Sequence, residues 1–130
     1  TDRVLKAMED PHVTIIGHPT GRLLLTREPY AIDLSTILKR AAQVGVAVEL
    51  NADPHRLDLD WRWCRAAREA GVQVELGPDA HSIAGLDHVA LGVSIARKGW
   101  LGAADVLNTR SADDVLAFAR RRRDAALTLA

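Results

Sequence analysis

Three short, continuously apolar runs punctuate the chain, Val13 to Ile16, Val46 to Leu50 and Val72 to Leu76, and each ends in a cluster of polar residues. Runs of this length, without polar alternation and rich in β-branched residues, are the pattern of strands buried on both faces. The segments between and around them have helical spacing. Val4, Leu5 and Met8 predict a helix over residues 2–9, stopped at Asp10-Pro11 because proline disfavours helix in the residue before it. Asp33 predicts an N-cap ahead of Leu34, Ile37, Leu38, Ala41 and Ala42, with Gly45 where a glycine closes a helix. Asp60 does the same for a helix whose inner face is Trp63, Cys64, Ala67 and Ala70, ended by Gly71. Beyond His81 the pattern is wholly helical, and Leu86, Val89, Val93, Ala96 and Trp100 are expected to share an inward face. Ser111 to Asp114 forms a capping-box pattern ahead of Val115, Leu116 and Ala119. The last helix is expected to end in Arg120 to Arg123, basic residues that suit a solvated C-terminus, with nucleic-acid contact the lesser alternative.

Strands each followed by a helix predict successive βα units of a parallel sheet or barrel. In such folds ligands bind at the carboxyl ends of the strands. All three ends here carry polar residues, so His18, the group from Glu49 to Arg56, and Asp79 with His81 should face one another. If the chain stays extended past Gly77, Asp79 and His81 point to the same side. The long polar connection from Gly17 to about Ile32 has the length of a binding loop.

Composition adds bounds. A chain of 130 residues, 48% apolar and 26% charged, is one globular domain by size and balance. Seventeen basic and seventeen acidic residues cancel, which removes any general pull toward nucleic acid and leaves partners to be argued from local sites. The single cysteine, Cys64, excludes an internal disulfide, lies on an apolar helix face, and suits a cytoplasmic setting. No apolar run approaches the ~20 residues of a membrane span. The opening residues read as the back end of a helix, and a piece of a longer protein is expected.

The candidate chemistry is metal-assisted. His18, Asp79 and His81 offer two imidazoles and a carboxylate without a thiolate, a set suited to Zn²⁺, Mn²⁺ or Fe²⁺. Glu49 and Asn51 alternate along the second strand and share a face, from which either can bind metal or orient a ligand. Arg22, His55 and Arg56 would place positive charge beside those ligands, and a guanidinium fork matches phosphate oxygens. Arg27 reads as solvated surface, and His12 and His88 as surface histidines.

Several motifs together carry a family resemblance. Gly17-His18-Pro19-Thr20-Gly21-Arg22, the run Glu49 to Leu59, Pro78-Asp79-Ala80-His81-Ser82, and Ala96 to Trp100 with Leu107 to Arg110 resemble, in order and over nearly the whole chain, the C-terminal part of the PHP (polymerase and histidinol phosphatase) domain of bacterial family-X DNA polymerases. The resemblance implies an α/β fold, the later half of a distorted seven-stranded βα barrel, with residues 1–130 forming a partial PHP domain. It implies a trinuclear Mn²⁺ or Zn²⁺ centre in which His18, Asp79 and His81 are the last three ligands. Asn51 would stand close to the site, and Arg22 and Arg56 near phosphate. The remaining ligands belong to the N-terminal half of the same barrel, so the isolated piece is expected to be inactive. The implied activity is a 3′-5′ exonuclease acting on DNA in repair. The alternatives are a small-molecule phosphatase of the histidinol-phosphatase type and a non-catalytic PHP domain that braces a polymerase.

Overall fold

The computed structural model describes residues 1–128 and has the element order α1 (Asp2–Ala7), β1 (Ile15–Ile16), α2 (Leu34–Val44), β2 (Ala47–Asn51), α3 (Trp61–Glu69), β3 (Val74–Gly77), a short 3-10 helix (Ala84–His88), α4 (Val89–Lys98) and α5 (Ala112–Thr128). The strands form one parallel sheet in the order β1-β2-β3, with Ile16 opposite Val48, and Val48 opposite Val74. The chain is therefore α/β, built from successive βα units, and all three strands point their carboxyl ends the same way.

Local chemistry sets the helix bounds where the sequence predicts. The Asp33 carboxylate accepts from the Thr36 amide, and Gly45 closes α2 at φ +71°, a left-handed conformation that glycine adopts without steric cost. Asp60 caps α3 through the amides of Arg62 and Trp63. Ser111 and Asp114 make the expected reciprocal contact, 2.7 Å between side chains, at the start of α5. The core lies between the sheet and the helices, where Ile37, Leu38 and Ala41 of α2, Cys64 and Ala67 of α3, and Val48, Leu50 and Val74 of the sheet are buried. Burial pushes the Cys64 thiol up to about 12, reinforced by the Asp60 charge, so this cysteine is a packing residue.

Three expectations are corrected. β1 pairs over two residues and leaves Ile15 exposed, because it has a neighbour on one side alone; it is an edge strand rather than one buried on both faces. In α4 the buried residues are Gly92 and Ala96, while Leu86, Val89, Val93 and Trp100 are exposed. The helix lies so close to the sheet that a Cβ on Gly92 would come within 2.9 Å of Ala52 Cβ, so small residues form the contact and the bulky ones are turned outward. Finally, α5 continues to Thr128, placing Arg120 to Arg123 inside the helix rather than at its end. Arg122 bonds the carbonyls of Met8 and Val13, tying α5 to the approach of β1.

On the far side of β3 the sheet edge is occupied. Val106 bridges Val74 in parallel, and the Asn108 amide accepts from the Leu76 amide and donates to its carbonyl.

Candidate metal centre

β2 supplies the floor of the site. Its side chains alternate, so Glu49 and Asn51 share one face, as the sequence predicts. Glu49 is largely buried and accepts from three donors: the His18 amide at 2.7 Å, the Asn51 side-chain amide at 3.2 Å, and His18 Nδ1 at 3.3 Å when that nitrogen carries its proton. In that tautomer the Nε2 lone pair is free and faces Asp79. Asn51 is fully buried; its amide nitrogen donates to Glu49 and lies 3.2 Å from His18 Nδ1, to which it donates only in the alternative tautomer with Nδ1 unprotonated, while its oxygen accepts from the Asp53 amide. Both β2 residues therefore orient the imidazole.

His18 and Asp79 each follow their strand by two residues, and both have positive φ, +47° and +51°. This left-handed backbone costs a non-glycine residue about 1 kcal/mol or more and is kept where surrounding contacts enforce it. It turns both side chains over the strand ends. His18 Nε2 lies 3.9 Å from Asp79 Oδ2, and the same oxygen receives Arg56 Nε at 3.2 Å.

The conformation of Asp79 also breaks the extended geometry expected past Gly77. His81 is 84% exposed at its side chain, with Nδ1 bonded to the Asp79 carbonyl at 2.6 Å and 4.0 Å from Asp79 Oδ1. His55 likewise points to solvent, bonded at 2.9 Å to Asp53. Burial alone would raise the Asp53 carboxyl, but the His55 amide and imidazole outweigh it and hold it below its ordinary range. Arg22 is placed differently from the expected phosphate contact. Its Nε donates to the Arg56 carbonyl at 2.9 Å, its terminal nitrogens reach the Leu57 carbonyl and lie 3.8 Å from Asp60, and its donors are thus directed into the loop. Arg27 is exposed, as expected, and also bonds the Gly21 carbonyl with two nitrogens. His88 faces the Pro78 carbonyl and Asp53, so it links loops rather than standing alone.

Two residues of this face escaped sequence reasoning. Glu75 sits opposite Glu49 on the neighbouring strand, and burial, then the Glu49 charge, raise its carboxyl above the usual range. The signal existed, because a carboxylate within an apolar run is as conspicuous in β3 as Glu49 is in β2. Gly77 leaves room for this pair: a Cβ there would lie 2.7 Å from Glu49 Oε1. The second is Asp58, fully buried, whose Oδ2 accepts from the amides of Thr20 and Gly21. A carboxylate acting on backbone amides of a distant loop leaves no mark in the local pattern.

The donor types fit a divalent cation, and the His18–Asp79 separation allows the two to share one ion. No group of three His, Cys, Asp or Glu side chains is gathered for a metal among the described residues, because His81 is turned away. Within the same residues no helix is long and apolar enough to cross a membrane.

One set of ends of the parallel sheet thus carries an imidazole, a carboxylate and a guanidinium. The chain is 45% identical over 119 residues to the DNA polymerase/3′-5′ exonuclease PolX of Bacillus subtilis, covering 92% of this chain and 21% of that protein. It is 25% identical over 115 residues to a probable phosphatase of Thermoanaerobacter sp., covering 84% of this chain and 44% of that one, and 28% identical to a probable phosphatase of Shewanella halifaxensis over 98% and 51%. No protein-family model matches the chain. These similarities, to the C-terminal PHP region of a polymerase/exonuclease and to probable phosphatases, support a PHP-type phosphoesterase family for the matched stretch. Within it, the chain corresponds to the C-terminal PHP region of bacterial family-X DNA polymerases, and it spans about a fifth of the length of the polymerase relative.

Proposed function

We propose that this chain is the later half of a seven-stranded PHP barrel that serves as the metal-dependent 3′-5′ exonuclease of a family-X DNA polymerase, acting on DNA in cytoplasmic repair. One observation carries the reading: His18 from the end of β1 and Arg56 from the loop after β2 meet at a single oxygen of Asp79 beyond β3. An imidazole, a carboxylate and a phosphate-matching guanidinium thereby share one point. Mn²⁺ or Zn²⁺ would be held by His18 and Asp79, with His81 turning in from solvent, and when bound it supplies polarisation of a phosphoryl oxygen. Glu49 keeps the His18 proton on Nδ1 and the Nε2 lone pair toward the ligand position. Arg56 offers its remaining donors to a phosphate, and exposed His55 adds one at the rim. Arg22 serves by holding the loop of Arg56. The N-terminal half of the same barrel supplies the other ligands, so the isolated chain binds metal weakly and does not turn over.

A second reading, a small-molecule phosphatase, is favoured by the probable phosphatases that align with most of this chain. The test uses the full-length protein with Mn²⁺, supplied with DNA bearing free 3′ ends and, separately, a small phosphate ester. Digestion of DNA is expected, falling about 10³-fold or more in His18→Ala and Asp79→Ala. Undiminished digestion in both variants removes the site assignment. Hydrolysis of the ester without DNA selects the phosphatase, and a folded protein that hydrolyses neither is the non-catalytic brace.

A further inference from the structure

The loops after β1 and β2 each lend a side chain to the backbone of the other. From the second loop, Asp58 Oδ2 accepts from the Thr20 and Gly21 amides at 2.9 and 3.1 Å. From the first, Arg22 donates to the Arg56 carbonyl at 2.9 Å and to the Leu57 carbonyl. The exchange runs between an anion on amides and a cation on carbonyls, so each charge meets the complementary end of the peptide dipoles. Asp58 is fully buried, and its Oδ1 has no hydrogen-bond partner among the described residues. A buried carboxylate satisfied on one oxygen alone is costly, and it is kept here by the two amides and by the strand-like pairing of Asp58 with Asn51. The exchange also holds Leu57 at φ +44°, a conformation a leucine does not choose unaided.

We propose that Asp58 and Arg22 form a reciprocal clasp that positions His18 and Arg56 on Asp79. His18 lies two residues before Thr20, and Arg56 two residues before Asp58, so both groups that converge on Asp79 Oδ2 are fixed within a residue or two of a clasp bond. The Asp58 and Arg22 side chains bond loop backbone, and they act through His18 and Arg56. The functional consequence rests on the exonuclease reading above, and the geometric part does not. A misplacement of about 1 Å at reacting groups lowers rates about 10²-fold, and loss of outer partners weakens metal binding by about 10–100-fold.

The test uses the full-length protein and the variants Arg22→Met, Asp58→Ala, Asp58→Asn and the double Arg22→Met/Asp58→Ala. Hydrogen exchange is read without metal or DNA. The clasp predicts that Arg22→Met speeds exchange at Thr20 and Gly21, amides it does not touch, at least tenfold, and that Asp58→Ala speeds it at residues 55–58. Asn at position 58 retains an acceptor oxygen and should restore protection. Mn²⁺ affinity, measured by paramagnetic resonance without substrate, should fall 10–100-fold in Arg22→Met and Asp58→Ala. The kcat on DNA should fall about 10²-fold with KM nearly constant, and the double variant should be no worse than the worse single one. Exchange changes confined to the loop that loses its own bond, additive losses in the double variant, or unchanged Mn²⁺ affinity with unchanged kcat would each overturn the clasp. Should Asp58→Ala fail to fold, Arg22→Met decides alone. If His18→Ala keeps full Mn²⁺ affinity and DNA digestion while exchange remains coupled across the loops, the clasp stands and the exonuclease site assignment falls.

Discussion

His18 and Asp79 each stand two residues beyond a parallel strand, each at positive φ, yet their loops are held in opposite ways. The His18 loop is fastened from several directions: Glu49 takes its amide and its Nδ1 proton, the Asn51 side chain lies 3.2 Å from the same nitrogen, Asp58 takes the next amides, and the Tyr30 hydroxyl donates to the Pro19 carbonyl. The Asp79 loop has Arg56 on its carboxylate and His88 near the Pro78 carbonyl, and its second candidate ligand bonds back to its own backbone. One loop is built by its neighbours within this chain. The other has fewer such bonds among the described residues, and under the proposed function the first half of a barrel would supply the rest.

The largest effect should come from unfastening the first loop. Asn51→Leu keeps the volume but removes a donor to Glu49 and the acceptor for the Asp53 amide, leaving a buried carboxylate under-satisfied. A loss of about 2–3 kcal/mol is expected in urea unfolding of the full-length protein, by the cost of orphaned buried polar groups. A loss below about 0.5 kcal/mol would mean that the fastening of the His18 loop is incidental.

Much of this contrast was legible before the fold. Asp33, Gly45, Asp60 and Gly71 mark their helix ends by chemistry that acts within four residues, and the strand ends follow from the alternation of βα units. His18, Asp79 and Glu49 stood out because ligand-type and charged residues interrupt or end apolar runs. The inward face of α4 was illegible, since hydrophobicity points to Val89 and Val93 while close approach to Ala52 and Leu76 selects Gly92 and Ala96. Asp58 went unmarked and the contacts of Arg22 went unforeseen for a related reason: their partners are backbone groups more than thirty residues away, and sequence pattern does not report such contacts.

A smaller and opposite effect is expected at Glu75. Its carboxyl is raised by burial and by Glu49, so the folded chain holds that proton more tightly than the unfolded one. The stability this contributes is present below the unfolded carboxyl range and is lost as pH rises through the folded value. Glu75→Gln should therefore flatten the fall in stability just above the ordinary glutamate range and stabilise the protein near pH 7 by ~0.5 kcal/mol, the scale of a relieved cross-strand like-charge pair. Thermal melts at pH 4 and pH 7 read both effects. A destabilised variant at pH 7 would show that the Asn108 hydrogen bond to Glu75 outweighs the Glu49–Glu75 repulsion.

The smallest stability change, and the sharpest separation of the two loops, is expected at His81. Its ring is 84% exposed and its one close bond is to the carbonyl of Asp79, so His81→Ala should alter the melting free energy by less than about 0.5 kcal/mol. His18→Ala removes a ring wedged between Glu49 and Asn51 and should cost more. Activity inverts the comparison: if the Asp79 loop awaits neighbours from the first half of the barrel, both variants of the full-length protein should lose Mn²⁺-dependent DNA digestion by similar factors, although one of them gives up almost no stability. An inactive, fully stable His81→Ala protein is the pattern of a ligand whose partners are the metal and the missing half of the site. An active one would assign the outward histidine to the surface and leave His18, Asp79 and Arg56 as this chain's whole contribution.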